Sequence, residues 1–387
     1  MRRVRDAVRA MLAGGVDRVF PGGVAAVAQG REWLALEAAG HAQVTPARRP
    51  MTTKTIFDLA SLTKPVATAT AVLQLCAGGT IDLDAPVAHY VSTFGDGGPG
   101  RRVTVRHLLA HSSGLPAWEM LYLPAPRAAG RRRLSAQACL SIPQAVRRIG
   151  ATPLHAPPGR QDEYSDLGFI ILGYLVERLT GSPLAAYVRR HIFEPIGMRT
   201  TRFGPPRSWR ARCAATEVGN AYEQARAAEQ GLGRGFRWRR QLLRGEVHDG
   251  NAWYVGHGVA GHAGVFSTAS DLVRFGRAML RGGALGGARV LPAAVVAEAV
   301  RDHSPARSEM RRGLGWVVKG SSMYGGRRAS PRAHGHTGFT GTALLIDPPR
   351  DLVIVLLTNR VHPSAIDTTI NAFRPAFYDA VIEAVDG

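Results

Sequence analysis

At 387 residues the chain is long enough to bury a large core and to form about two domains of typical size. Its hydrophobic fraction of 45% and charged fraction of 20% are typical of a soluble globular protein, and no stretch approaches the roughly 20 apolar residues that a membrane span needs. The net charge of +20 is dispersed in short clusters without interleaved aromatic residues, so we expect no specific nucleic-acid partner, only non-specific adhesion to polyanions.

The beginning of the chain predicts an amphipathic helix. Its first five residues resemble the basic start of a signal peptide, but Asp6, Arg9 and Asp17 interrupt any apolar run. The apolar residues recur instead at helical spacing, at Val4, Val8, Met11 and Leu12. We therefore expect no export signal and a cytoplasmic protein, and the three cysteines, which share no metal-ligand spacing, agree with reduced thiols. A misassigned start codon that removed a leader would give the same sequence in a periplasmic protein.

The next elements follow from apolar runs and turn residues. Two short apolar runs within residues 24–36 predict a β-hairpin. Residues 61–77 predict a buried helix that ends at Gly78, and Asp166–Thr180 predicts an amphipathic helix that ends at Gly181. Shorter helices are predicted at residues 106–111, 183–192 and 270–280.

The last part of the chain predicts more strands. Residues 313–318 form a strand candidate, and the apolar runs 341–347 and Leu352–Thr358 predict a hairpin about a Pro-Pro-Arg turn. Residues 365–385 predict a closing helix. The polar, Arg- and Gly-rich residues 205–250 predict irregular surface.

This order of elements predicts an α+β fold. Strands lie at both ends with mostly helices between them, which favours an antiparallel sheet that both ends complete and helices flank. We expect one domain over residues 1–387, with an α/β lobe of about residues 1–80 and 256–387. An all-helical subdomain of about residues 81–255 would be inserted into it.

Lysine is rare in this chain, and one lysine has an informative position. Only three of the 49 basic residues are lysines, so arginine serves where a plain positive charge is needed. Lys64 follows Ser61 by three residues at the start of a predicted helix, so their side chains share one face. A crowded lysine can lose its proton, which arginine cannot, and an amine base beside a hydroxyl can activate a serine. The free N–H groups of the helix N-terminus favour an anion there.

Two further segments extend this pattern. Tyr-Ser-Asp occupies residues 164–166 before a helix, and His-Thr-Gly occupies residues 336–338 before a strand. In this order the three segments resemble the S-x-x-K, Y-x-N and K-T-G signatures of the serine β-lactamase and penicillin-binding-protein superfamily. The H-T-G variant resembles its class C-like branch, which includes esterases and D-amino-acid-specific peptidases. Residues 106–116 and 261–271 resemble the same branch, and the likeness covers roughly residues 15–385.

The resemblance implies a β-lactamase/transpeptidase-like fold with an active site between the sheet and the helical subdomain. It implies Ser61 as the nucleophile of an acyl-enzyme and Lys64 as its base or proton relay. Tyr164 would exchange protons with Ser61 and the leaving group. Because the ordinary pKa of a phenol is near 10, Tyr164 would need neighbouring cations, which Lys64 and a partly charged His336 would supply.

The same resemblance implies the residues that bind the substrate. His336 and Thr337, followed by Gly338, would line a strand edge and anchor a substrate carboxylate or carbonyl. The backbone N–H groups of Ser61 and Phe339 would form the oxyanion hole. The resemblance implies no cofactor.

Two residues depart from the signatures. Asp166 stands where the family pattern has asparagine, and an ionised carboxylate only accepts hydrogen bonds. This disfavours β-lactam or acyl-peptide substrates and favours a substrate with a donor or a positive charge. His336 replaces a lysine, so we expect activity to change with pH between about 5.5 and 8, as a histidine titrates.

These observations predict a serine hydrolase that acts through an acyl-enzyme on small esters or amides. The alternatives are a D-alanyl carboxypeptidase or a β-lactamase, and, in another class, a basic binding protein on the same scaffold that holds anionic polymers. No metal site is expected, because no carboxylate or cysteine completes a zinc set beside His257 and His262. Residues 116–123 and 205–250 would form the pocket walls. The exact substrate and the oligomeric state stay open.

Overall fold

The computed structural model describes residues 1–96, 98–123, 139–318, 325–365 and 367–387. The strands of this part of the chain are β1 (Gly22–Gln29), β2 (Glu32–Gln43), β3 (Arg49–Pro50), β4 (Phe57–Asp58), β5 (Arg202–Phe203), β6 (Ala215–Val218), β7 (Leu242–Arg244), β8 (Val265–Ser267), β9 (Ala284–Leu285), β10 (Ala288–Arg289), β11 (Val317–Val318), β12 (His334–Thr337), β13 (Ala343–Asp347) and β14 (Leu352–Thr358).

Seven of these strands form one antiparallel sheet in the order β11-β12-β13-β14-β1-β2-β3. Strand β1 pairs with β14, Gly23 opposite Thr358, so both ends of the chain complete the sheet as the sequence predicts. The two predicted hairpins are confirmed as β1–β2 and β13–β14. The strand candidate at residues 313–318 is shorter, because Gly315 turns the chain at φ +83° before β11 begins.

Alternate side chains of the central strands enter two different cores. Val353, Val355 and Leu357 of β14 face one side of the sheet, and Ile354 and Leu356 face the other. This period of two is the expected geometry of a strand. Both faces are therefore covered, which explains why these strands are almost uniformly apolar.

The helices of the described part of the chain are α1 (Arg2–Gly15), α2 (Thr70–Ala77), α3 (Val87–Tyr90), α4 (Val105–Leu109), α5 (Ile142–Gly150), α6 (Asp166–Thr180), α7 (Leu184–Val188), α8 (Ala221–Glu229), α9 (Ala269–Leu280), α10 (Ala293–Ala299) and α11 (Ile370–Asp386). A 3-10 turn, Ala60–Leu62, and a π-helical stretch, Lys64–Ala69, lead into α2.

The terminal helices pack together on one face of the sheet. Val4, Val8 and Leu12 of α1 are buried there with Phe377 and Val381 of α11, which confirms the amphipathic first helix. Helix α9 covers the opposite face and packs on β14 and β1. Helix α11 begins five residues later than predicted.

Residues 205–250 are not the irregular surface that their composition predicts. Strands β6 and β7 pair there, so the largely helical middle of the chain also contains a small sheet. Several of its charged side chains are buried and pair inside the protein: the Nε2 atom of His248 lies 3.1 Å from Glu217, and Arg239 donates to the carbonyl oxygen of Val247 at 2.7 Å. The polar composition therefore marks a segment that is only partly exposed.

One apolar core joins the inner face of the sheet to the middle of the chain. Val24 of β1 and Val355 of β14 belong to the same buried cluster as Phe169 and Leu172 of α6. The proposed division into two lobes stays a prediction.

Among the described helices, none is by itself long and apolar enough to cross a bilayer. Only one pair, Asp166–Thr180 with Leu184–Phe193, is long and apolar enough when taken together, and this pair is bent by 81°.

Candidate active site

Ser61 lies in a short turn between β4 and the helix that ends with α2. Ala60, just before it, adopts φ +47°, a left-handed conformation that costs a non-glycine residue about 1–2 kcal/mol. The buried carboxylate of Asp58 accepts hydrogen bonds from the N–H groups of Ala60 at 2.9 Å and His248 at 2.7 Å. These bonds hold the strained turn and orient the backbone at Ser61.

Lys64 is fully buried, and its Nζ atom donates to three oxygens. The acceptors are Ser61 Oγ at 3.0 Å, Asp166 Oδ1 at 2.6 Å and the carbonyl oxygen of His262 at 3.3 Å. Burial lowers the pKa of Lys64, but the Asp166 carboxylate and Tyr164 outweigh it, and the net pKa is raised. The ammonium form therefore predominates near neutral pH.

Tyr164 precedes α6 and packs against charged and aromatic groups. Its ring centroid lies 4.8 Å from Lys64 Nζ and 5.4 Å from Cζ of Arg312. Burial raises the pKa of the Tyr164 hydroxyl, the Lys64 ammonium opposes this and Asp166 adds to it, with a net increase. The Lys64 ammonium lowers this pKa as expected, but burial and Asp166 outweigh it, so the phenol is neutral in the resting protein.

His111 supports Tyr164, a role that the sequence reading missed. Its carbonyl oxygen accepts from the N–H of Glu163 at 2.8 Å, and its Nδ1 atom accepts from the N–H of Ser165 at 3.0 Å. The His111 and Tyr164 rings lie 4.5 Å apart. Burial lowers the pKa of His111 well below its ordinary value, so the ring is neutral. The only sequence signal was its position within residues 106–116.

His336 ends up neutral at the edge of β12. Burial, with the Lys64 charge, lowers the pKa of His336 to about 3. The expectation that this histidine titrates between about pH 5.5 and 8 is therefore wrong. Its Nδ1 atom lies 2.7 Å from the carbonyl oxygen of Thr337, which can only accept, so Nδ1 carries the hydrogen and Nε2 is a bare acceptor.

The turn after β12 is tied to the chain just before Ser61. Thr340 Oγ1 donates to the carbonyl oxygen of Asp58 at 2.7 Å, and Thr342 Oγ1 donates to that of Leu59 at 2.9 Å. The N–H of Gly338 donates to the carbonyl oxygen of Thr342 at 2.8 Å. The backbone of residues 338–342 is thereby fixed relative to Ser61.

Two arginines hold the same turn from the other side. Arg374 of α11 donates to the carbonyl oxygen of Gly338 at 2.7 Å, and Arg360 Nε donates to that of Phe339 at 2.7 Å. Arg360 also donates to the carbonyl oxygen of Asp367 at 2.6 Å. This carbonyl oxygen therefore bonds to a side chain just before α11 begins, which agrees with the later start of that helix. The guanidinium of Arg360 lies 4.3 Å from the Phe339 ring.

A cavity of about 500 Å³ opens beside these groups. The site residues predicted from the sequence that line it are Ser61, Tyr164, Asp166, His336, Thr337, Gly338 and Phe339. Lys64 lies beneath the surface of the cavity, in contact with Ser61. Residues 116–123 and 205–250 contribute Trp118, Tyr222 and Arg226, which confirms that both segments form pocket walls.

The family follows from the match of the chain to a family model. The model described as Beta-lactamase matches residues 4–375. The chain belongs to the beta-lactamase family. A protein of Salmonella enteritidis PT4 is 36% identical over 332 residues, which are 83% of this chain and 73% of that protein, and it carries the provisional name D-alanyl-D-alanine carboxypeptidase. A Salmonella typhimurium protein with the same provisional name matches to the same extent.

Solved structures of the beta-lactamase fold resemble the whole chain. EstCE1, a hydrolase with promiscuous acyltransferase activity, has a TM-score of 0.74 at 21% identity, covering 100% of this chain and 99% of its own. A penicillin-binding-protein homologue from Caulobacter crescentus has a TM-score of 0.73 at 22% identity, covering 98% of both chains. A family VIII carboxylesterase has a TM-score of 0.69 at 22% identity, with 99% and 97% covered. These likenesses show the β-lactamase/transpeptidase-like fold.

Membership of the beta-lactamase family makes this chain a serine hydrolase. Asp166, which replaces the asparagine of the family pattern, lines the cavity and also pairs with Lys64. Asp166, Asp249 and His262 have side-chain atoms of the kind that bind metal ions, and these atoms lie within 4.8 Å of one another. The Nε2 atom of His262 lies 2.8 Å from Asp249. The expectation that no carboxylate stands beside His262 is therefore wrong. The cation beside this group in the structure is the Lys64 ammonium.

Proposed function

We propose that this beta-lactamase-family enzyme hydrolyses small esters or amides through an acyl-enzyme on Ser61. The observation that carries the proposal is the hydrogen bond of 3.0 Å from Lys64 Nζ to Ser61 Oγ at the wall of a cavity large enough for a small acyl substrate. A hydroxyl alone is a weak nucleophile, so a group that can move its proton must lie within hydrogen-bond reach.

In this proposal Ser61 Oγ attacks the acyl carbon and forms a tetrahedral oxyanion. The N–H groups of Ser61 and Phe339 stabilise the oxyanion, as donors fixed before the charge develops. Tyr164, neutral in the resting enzyme, gives its proton to the leaving group and recovers one afterwards. Water then attacks the acyl-enzyme, which releases the acid and restores Ser61.

The neutral state of His336 favours an uncharged substrate. It brings no positive charge to the cavity, and its Nε2 atom accepts a hydrogen bond and cannot hold a carboxylate. A D-alanyl carboxypeptidase activity is the second candidate, because Arg226 and Arg312 line the cavity and could pair with a substrate carboxylate. The provisional name of the Salmonella relatives points the same way.

The test is stopped-flow hydrolysis of p-nitrophenyl acetate at stoichiometric enzyme, with intact-mass analysis of the quenched protein. We expect a burst and an acetyl adduct in the wild type, and neither in Ser61→Ala. Ser182→Ala, a serine outside the cavity, is the matched control and should behave as the wild type. Equal rates in the wild type and Ser61→Ala would remove Ser61 as the nucleophile. The same pair of proteins, tested on a D-alanyl-D-alanine peptide, separates the two candidate substrates.

A further inference from the structure

The site as built contains no free base beside Ser61 among the described residues. Lys64 is an ammonium and Tyr164 a neutral phenol near neutral pH, because the pKa of each is raised. His336 is neutral, but burial makes it a very weak base. Both groups that the family pattern offers as a base therefore already carry a proton. The proton of Ser61 needs another destination.

Asp166 is at the end of a short hydrogen-bonded line that starts at Ser61. Ser61 Oγ lies 3.0 Å from Lys64 Nζ, which lies 2.6 Å from Asp166 Oδ1. Lys64 is fully buried, and the Asp166 side chain is 18% exposed at the cavity wall. The order of groups is a nucleophile, a nitrogen that can accept and donate a proton, and a carboxylate. An asparagine at position 166 could not accept the proton.

The first turn of α6 keeps this carboxylate in place. Asp166 is the first residue of α6, after the N-cap Ser165, whose Oγ accepts from the N–H of Gly168 at 3.3 Å. The N–H of Asp166 donates to the carbonyl oxygen of Ala117 at 2.8 Å. The positive end of the helix dipole favours an ionised carboxylate at this position. Asp166 is thus held with Oδ1 directed at Lys64.

We propose that Asp166 is the terminal proton acceptor of the acylation step. Lys64 Nζ first gives a proton to Asp166 Oδ1, which frees its lone pair, and Nζ then takes the proton of Ser61 as Oγ bonds to the acyl carbon. Lys64 is then an ammonium again, Asp166 becomes a neutral acid, and the negative charge moves to the substrate oxyanion. When the leaving group departs with the proton of Tyr164, the proton of Asp166 returns through Lys64 to that phenolate. This inference rests on the proposed acyl-enzyme at Ser61.

Exclusion of water favours this transfer. A substrate that fills the cavity keeps water away from Lys64 and Asp166, so the proton of Ser61 passes along the hydrogen-bonded line and not to solvent. Other charged or titratable groups face Lys64 and Asp166, and they are Tyr164, His111, Arg312, His336, Asp249 and His262. The titration of any of these groups would also affect the pH profile. Of these, His111 and His336 are neutral over the working range, because burial lowers the pKa of both.

The test is the pH dependence of kcat/KM for p-nitrophenyl acetate in the wild type and Asp166→Asn. We expect a level wild-type profile from about pH 7 to about pH 9, because the proton moves within the enzyme. In Asp166→Asn a proton must go to solvent, so kcat/KM should be about 10²-fold lower at pH 7 or below, and rise with pH. KM should change little. Asp162→Asn, a carboxylate on the same loop that is 19% exposed beside Arg312, is the matched control and should keep the level profile.

A second variant keeps the test independent of how well Asp166→Asn folds. In Asp166→Ser, sodium formate should restore activity in a concentration-dependent way, and sodium chloride at equal ionic strength should not. Parallel profiles of the wild type and Asp166→Asn, or no rescue by formate, would overturn the relay. Parallel profiles with a changed preference between cationic and neutral esters would assign Asp166 to substrate binding instead. A wild type that forms no acetyl adduct on Ser61 would contradict the proposed function itself, a different result from these.

Discussion

Lys64 illustrates how one residue type is selected by its surroundings. Its Nζ atom donates to a hydroxyl, a carboxylate and a backbone carbonyl, and the side chain is fully buried. An ammonium offers three donors and can also pass on a proton, whereas a guanidinium cannot lose its proton in a protein. This explains why a chain whose basic residues are almost all arginines has a lysine at this position.

His336 gives a prediction at the same scale. Because burial lowers its pKa to about 3, His336 should not titrate between about pH 5.5 and 8. We expect His336→Gln to lower kcat/KM while the shape of its pH dependence over this range stays that of the wild type. The measurement is p-nitrophenyl acetate hydrolysis at half-unit pH steps, with each profile scaled to its value at pH 7. A wild-type change near pH 6.5 that disappears in His336→Gln would show that the histidine titrates after all.

The turn at residues 338–342 is the element that depends most on distant parts of the chain. Threonines bind it to the segment before Ser61, and Arg360 and Arg374 bind its carbonyl oxygens from the C-terminal region. A backbone N–H can act in an oxyanion hole only if the turn cannot shift, since a displacement of about 1 Å can cost about 10²-fold in rate. The C-terminal segment thus helps to position the site.

Arg360→Met tests this positioning. Methionine fills much of the same space but cannot donate to Phe339 or Asp367, so we expect kcat to fall by about 10²-fold with little change in KM. Arg277→Met is the matched control, because Arg277 also donates to a backbone carbonyl, at 2.8 Å, and lies 5.2 Å from the Trp33 ring, away from the cavity. Thermal melts of both variants check that they fold. Equal kcat values in the two variants would contradict a positioning role for Arg360.

At the level of elements, local patterns carry most of the predictable information. The two hairpins, the first helix and Asp166–Thr180 follow from apolar period and turn residues, and the structure confirms them. The burial of Glu217 and His248 could not be predicted, because each is acceptable inside only when the other is beside it. The pairing of Asp166 with Lys64 joins residues 102 positions apart, and nothing in the local sequence encodes that distance.

The whole molecule combines a strongly basic surface with a buried acidic group. The chain has a net charge of +20, yet Asp58, Glu217 and Glu223 are almost fully buried near the cavity. Burial, with the nearby Asp249 carboxylate, raises the pKa of Glu223 to about 7. Glu223 accepts hydrogen bonds from the Tyr122 hydroxyl and from the N–H of Gly250, the latter at 2.8 Å. Its ionisation is therefore coupled to the stability of the fold.

Glu223→Gln should make stability less dependent on pH. Between the ordinary pKa of 4.5 and about 7 the folded protein holds a proton that the unfolded chain has lost, so the free energy of unfolding of the wild type falls as pH rises. Glu223→Gln does not show this loss. The difference in free energy of unfolding between the variant and the wild type should therefore rise by about 3 kcal/mol and stay constant above about pH 7. Urea unfolding at about pH 5 and about pH 8 measures the change. Glu229→Gln, at the exposed end of α8, is the control, and its stability should depend on pH as that of the wild type does. The same pH dependence in Glu223→Gln and the wild type would contradict the argument.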